Sequence, residues 1–150
     1  MASLLQNLYG LWFTEFDPMF YFISACVDFL TPQKALLSVN PLKPHDPDYD
    51  PIIFCRGGAM LSIFFLISNL LRYSTDREVW KCVQASLLIM DLALLYAGWE
   101  ALSLKGKLRV SSWTDWDMVR VWFPVVTGVV RMAFLAGLGM GTRRTEGKGE

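Results

Sequence analysis

The sequence predicts an all-α, polytopic membrane protein, a bundle of four transmembrane helices. Three observations predict it. Hydrophobic residues make up 53% of the chain and charged residues 19%, against about 45–50% and about 25% in ordinary soluble domains. The apolar residues collect in four blocks of about 20 residues or more, the length a helix needs to cross a ~30 Å hydrocarbon core. Within those blocks the runs 63–67, 87–90, 92–95 and 125–130 are apolar all round. The helices of a soluble four-helix bundle would show a charged outer face there.

The spans are expected at about 8–30, 52–72, 80–101 and 117–139, forming one domain over 1–141, followed by a disordered, Gly-rich polar tail at 142–150. The first block contains Asp17-Pro18, which reads as an N-cap and a proline in the first helical turn. A helix from Pro18 to Thr31 would be about 21 Å long, too short to span. The reading adopted is a continuous helix from near Leu4, kinked at Pro18, with Leu11, Trp12 and Phe13 at headgroup level. The second block holds the longest uncharged stretch, 15 residues over 57–71. The third and fourth carry Asp91, Glu100 and Arg131 inside apolar sequence. Small residues at Ala133, Gly137, Gly139 and Gly141 predict close helix approach at the end of the fourth. Four spans put both termini on one side. The basic residues, six on that side and five on the other, do not orient the bundle.

Composition excludes other classes. Fourteen Lys and Arg balance fourteen Asp and Glu, so the chain lacks the basic excess of a nucleic-acid binder. A mean hydropathy of +0.34 is too high for a disordered chain. One His and three Cys cannot build a zinc ribbon or a disulfide scaffold. The acidic loop from His45 to Pro51 has the Asp spacing of a calcium loop without its Gly and Glu, and His45 reads as a solvated loop residue. No P-loop, G-x-S-x-G or Cys–His pairing can be assembled, so no cofactor and no metal is expected.

Ionisable groups inside spans are costly and face an interior. Asp17, Tyr21, Ser24 and Asp28, spaced 4, 3 and 4, share one face of the first block. Gly58, Ser62, Asn69 and Arg72 form a stripe in the second, Gln84, Asp91 and Gly98 recur every seven in the third, and Arg120, Pro124, Thr127 and Arg131 line the fourth. The four stripes are expected to face each other. One reading makes Asp28, Asp91 and Arg131 buried ion pairs that fix helix order. The other makes the interior a pocket for a lipophilic small molecule, with a carboxyl as proton donor. Glu100 lies about 13.5 Å along the axis from Asp91 and on the opposite face, beside Trp99 and Tyr96. It is either an interfacial residue or a group at a pocket mouth.

The run from Arg72 to Lys81, the segment from Leu88 to Tyr96 and the segment from Arg131 to Gly139 resemble a group of small fungal four-helix integral-membrane proteins of poorly assigned function. In architecture the chain is also similar to membrane-bound meroterpenoid and terpene cyclases and to emopamil-binding isomerases of natural-product pathways. That resemblance implies a metal-free isomerase or terpene cyclase, acting by protonation on an isoprenoid or meroterpenoid in secondary metabolism. Asp91 or Glu100 would then be the acid, with Glu15 and Asp17 as further carboxyls. Asp28 and Tyr96 would be proton acceptors. Trp99, Trp122 and Phe65 would line the substrate site, with Asn69 and Arg131 as its polar contacts. The expected setting is a multi-pass protein of the endoplasmic reticulum, in contact with membrane lipids and forming a homodimer or joining a biosynthetic complex. The alternative is a non-catalytic membrane scaffold or accessory subunit whose polar stripes are helix glue.

Overall fold

The computed structural model describes residues 2–39, 44 and 46–139, and among these it is all-helical. The order is α1 (Ala2–Leu11), a π-helical segment (Trp12–Phe16), α2 (Asp17–Leu30), α3 (Pro32–Val39), a 3-10 turn (Pro47–Tyr49), α4 (Asp50–Tyr73), α5 (Arg77–Leu104), a 3-10 turn (Val110–Ser112) and α6 (Asp115–Leu135). The predicted tail at 142–150, Gly141 and His45 lie outside the described residues.

Three helical stretches are long and apolar enough to cross a membrane: Pro47–Tyr73, Arg77–Leu104 and Asp117–Leu135. Of the four spans expected, these are the second, third and fourth. The first block runs without a break from Ala2 to Leu30, but as three segments, and α2 alone is 14 residues. Proline explains the division. Pro18 has no N–H to give the carbonyl of Thr14, and its ring crowds that carbonyl. The chain widens one turn earlier instead, with the Asp17 N–H bonded to the Trp12 carbonyl in a π turn. The expected kink is thus taken up before the proline. Asp17 sits at helical φ −60° and ψ −47° and is no N-cap. The freed Thr14 carbonyl lies 3.5 Å from Arg72 Nη2, and the same guanidinium pairs with Glu15 at 2.9 Å.

Side chains set the helix ends. Asp76 accepts the Glu78 N–H at 2.9 Å and starts α5. Thr114 and Asp117 form a capping box that starts α6. Both α5 and α6 stop at glycines in the left-handed region. Gly106 has φ 66°, with Lys107 N bonded to Leu102 O and Gly106 N to Ser103 O. Gly137 has φ 77°, with Leu138 N bonded to Ala133 O and Gly137 N to Phe134 O. These are Schellman caps. The fourth helix therefore ends at Leu135 rather than at 139, and Gly137 terminates it rather than packing it. Gly139 does permit a close approach, since a Cβ there would fall 2.6 Å from the side chain of Leu5.

The helices associate as two hairpins, α2 along α4 and α5 along α6, with α3 resting across α4 and α5. Gly57 lets α2 and α4 touch: an added Cβ would stand 3.0 Å from Asp28 Cβ and from the Phe29 ring. The hairpins meet through long side chains. Phe20 lies against Phe123 with ring centroids 4.1 Å apart, and Phe13 packs on Trp80 and Phe134. Phe13, Tyr21, Ile67, Leu71, Val83, Leu87 and Phe134 make the apolar core. Many other large apolar residues, among them Leu66, Ile89 and Val129, face outward, as expected of helices whose solvent is hydrocarbon.

Candidate functional site: a buried arginine network beneath a cleft

Arg131 is 0% exposed, one turn before the end of α6. Its guanidinium is bonded from two sides. Nε donates to Asp91 Oδ2 at 2.7 Å and Nη1 to Gln84 Oε1 at 2.5 Å, both on α5. Nη2 donates to Asp17 Oδ1 at 2.9 Å and to Tyr21 Oη at 3.3 Å, both on α2. The planar fork of arginine can serve several acceptors in one plane, which a lysine could not do. Thr127, one turn before Arg131, turns its hydroxyl back to the carbonyls of Phe123 and Pro124 at 3.1 and 3.2 Å, the usual way a threonine satisfies itself within its own helix. Asp17, Gln84 and Asp91 are all buried. Asp17 Oδ2 and Gln84 Nε2 are buried without a hydrogen-bond partner among the described residues. Two carboxyls therefore share one guanidinium, with one acceptor and one donor left over.

A cleft of about 640 Å³ opens next to this network. Tyr9, Trp80 and Phe134 give it aromatic walls, and Thr14, Glu15 and Arg77 give it polar ones. Sequence spacing ties the two together. Thr14 precedes Asp17 by one helical turn, Trp80 precedes Gln84 by one turn, and Phe134 follows Arg131 by one turn. Each of the three helix segments thus presents the cleft at one level and the ion network at the next, about 5 Å away.

A second ion pair sits at the other end of the bundle. Arg56 Nε donates to Asp28 Oδ2 at 2.9 Å, and its Nη2 donates to Oδ1 of the same carboxylate, while Asp28 is fully buried. Nearby, Asp117 accepts from Lys105 Nζ at 2.9 Å and stands 3.5 Å from Lys107 Nζ.

The residues named from sequence divide between inside and outside. The polar stripes of α2, α5 and α6 do face inward, with Asp17, Tyr21, Asp28, Gln84, Asp91, Gly98, Pro124, Thr127 and Arg131 buried. The stripe of α4 does not. Ser62, Asn69 and Arg72 are exposed, and α4 buries Ile53, Gly57, Ile67 and Leu71 instead. Asn69 turns its amide onto the carbonyl of Phe65 at 2.7 Å, which satisfies it within its own helix. Asp91 and Arg131 are brought together. Asp28 is joined to Arg56 rather than to them. Glu100 is exposed, as are Tyr96 at 71%, Phe65 at 58%, Trp99 at 55% and Trp122 at 54%. These five lie on the outer surface, away from the network. Gln84 is a stripe position in the sequence without a site role, and its spacing of seven from Asp91 is the signal that puts both on one face. The pairing of Arg56 with Asp28 had no local signal, because their helices are joined only through α3 and a loop.

Among the described residues the fold is all-helical, and three of its helices, α4, α5 and α6, have the length and apolar composition of a multi-pass membrane protein, with a buried ion network joining α5 and α6 to α2. Within that class, the chain belongs to the DUF7704 family, described as a domain of unknown function, whose pattern covers residues 2–141. No curated protein and no solved structure matches it.

Proposed function

We propose that the protein is a membrane-embedded, metal-free acid–base enzyme of the isomerase or cyclase type. Its substrate is a lipophilic isoprenoid or meroterpenoid of fungal secondary metabolism, and its setting is the endoplasmic reticulum membrane. One observation carries the reading: an aromatic-walled cleft lies one helical turn from a buried network in which two carboxyls share one arginine and Asp17 Oδ2 has no partner. The volume falls in the range of small-molecule sites, about 300–1,000 Å³. Arg131 balances one carboxylate, so the second carboxyl is the place for a transferable proton. Asp17 is the acid in this scheme. Its O–H proton adds to one carbon of a substrate alkene, the π pair becomes the new C–H bond, and a carbocation and the Asp17 carboxylate remain. Tyr9, Trp80 and Phe134 favour that cation, by about 0.5–2 kcal/mol per well-placed ring. Loss of a proton from the neighbouring carbon to the Asp17 carboxylate re-forms an alkene and restores the acid. Asp91 holds Arg131 in place. A first helix passing through the bilayer as a fourth span, from Ala2 to Leu30, would bring the cleft to headgroup depth.

A second reading, a non-catalytic scaffold or accessory subunit acting as a homodimer or within a biosynthetic complex, is favoured by the four hydrogen bonds that engage Arg131 and by the outward position of Glu100, Tyr96, Trp99, Trp122 and Phe65. Microsomes containing wild type, Asp17→Asn or Asp91→Asn, supplied with prenylated alkenes and epoxides, separate the two. The enzyme reading expects conversion by wild type and its loss in a folded Asp17→Asn. A folded Asp17→Asn with undiminished conversion removes Asp17 as acid. Absence of conversion across the panel, with partners recovered by crosslinking through the outer face, favours the scaffold.

A further inference from the structure

We propose that Arg56 and Arg120 form a binding site for a phosphate-bearing anion, the headgroup phosphate of an anionic lipid, between the two hairpins at the end of the bundle opposite the cleft. Arg120 Nη1 is buried and has no hydrogen-bond partner among the described residues. A buried guanidinium nitrogen without an acceptor is costly, and an anion from outside the chain supplies one. Its nearest charges do not do so. Arg120 stands within charge–charge range of Asp117 and of Arg56. Asp117 is already taken by Lys105, Lys107 and the Thr114 hydroxyl and N–H. Arg56 repels Arg120, and its own carboxylate partner, Asp28, is held by both arms of the Arg56 fork. The Asp28 carboxylate is thus committed to Arg56, and that of Asp117 to Lys105 and Lys107.

Depth fits a lipid. Arg56 lies six residues into α4 and Arg120 five into α6, about 9 and 7.5 Å below their helix starts. Headgroup layers fill about 5–8 Å on each side of the hydrocarbon. Basic pockets between transmembrane helices hold phosphate headgroups in this way. The stem of Arg120 has a fixed bed, since its Cγ and Cδ pass 3.7 Å from where a Cβ on Gly98 would be. The Arg56 side chain is 35% exposed, so a ligand reaches the pair from the α4 side.

The test uses the full chain purified in a mild detergent. Wild type is mixed with phosphatidic acid, with phosphatidylcholine, and with inorganic phosphate, and retained ligand is read by native mass spectrometry alongside thermal unfolding. Phosphatidic acid is expected to be retained and to raise the midpoint, and phosphatidylcholine to do neither. Arg120→Gln is expected to weaken retention about tenfold or more, the loss of a charge-assisted hydrogen bond. Inorganic phosphate stabilising wild type as well as phosphatidic acid does would support the anion site and assign it to free phosphate. Equal retention by wild type and a folded Arg120→Gln would overturn the proposal, as would no retention of either anion. Should Arg120→Gln not fold, phenylglyoxal labelling of wild type gives the same answer. Phosphatidic acid vesicles, and not phosphatidylcholine vesicles, should protect Arg56 and Arg120, and equal labelling in both would refute the site.

Discussion

Replacing Arg131 by methionine tests the network that joins the hairpins. Methionine fits the apolar part of the site but removes every donor. Asp91, Gln84 and Asp17 lose bonds of 2.7, 2.5 and 2.9 Å and stay buried. Two magnitudes compete. Hydrogen bonds between membrane helices average only about 0.6 kcal/mol, with a maximum near 1.7. Leaving a partner charge buried without its counterion costs about 3–5 kcal/mol. The second wins here, because Asp17 and Asp91 are both buried and lose the guanidinium they share. Arg131→Met is therefore expected to lose about 3–5 kcal/mol, read by denaturant titration in detergent micelles. The combination Arg131→Met with Asp17→Asn and Asp91→Asn removes the stranded charges and should recover at least half of that loss. If Arg131→Met lies within about 1 kcal/mol of wild type, or if the triple variant is no more stable than the single one, charge stranding is not what the network controls.

Other perturbations follow from the packing and the helix ends. Gly57→Ala forces a Cβ to 3.0 Å from Asp28 and Phe29, and a loss of about 1–3 kcal/mol in thermal or denaturant unfolding is expected from overpacking α2 against α4. Gly137→Ala places a side chain at φ 77° and should cost about 1–2 kcal/mol, whereas Gly58→Ala, with nothing within 4 Å, should be close to neutral in the same assay. Asp117→Asn keeps the cap geometry but weakens the hold on Lys105 and Lys107; about 1–2 kcal/mol should be lost, and Thr114→Ala should lose a similar amount through the capping box. Arg72→Met breaks an exposed pair with Glu15 and the contact to the Thr14 carbonyl, and a change under about 1 kcal/mol is expected, shrinking further at high salt.

The helical class and three membrane-length helices were legible because hydrocarbon solvent leaves a compositional mark that needs no tertiary information: apolar on every side, about 20 residues long. The first block was harder for a local reason. Pro18 announced a disturbance, but a missing N–H can be absorbed by a kink, a break or a widened turn, and the sequence does not choose among them. The π turn at Trp12–Phe16 was selected by what it lets neighbouring residues do: Arg72 comes to the freed Thr14 carbonyl and Asp17 reaches Arg131.

The interior was legible in three helices and misread in the fourth, and the reason bears on how such stripes are weighed. Polar stripes on α2, α5 and α6 contain an Asp or an Arg well inside apolar sequence, and a charge there must find a partner within the bundle. The stripe chosen on α4 consisted of Gly58, Ser62 and Asn69, with Arg72 at the helix end. Ser and Asn can satisfy themselves on their own backbone, as Ser62 does on the Gly58 carbonyl and Asn69 on that of Phe65. Periodicity in such residues therefore says little about which face turns inward. Arg56, the one charge of α4 that does lie inside the apolar block, points to the buried face at Ile53 and Gly57. A single charge inside a span orients a helix better than a run of uncharged polar residues, because only the charge lacks a local solution.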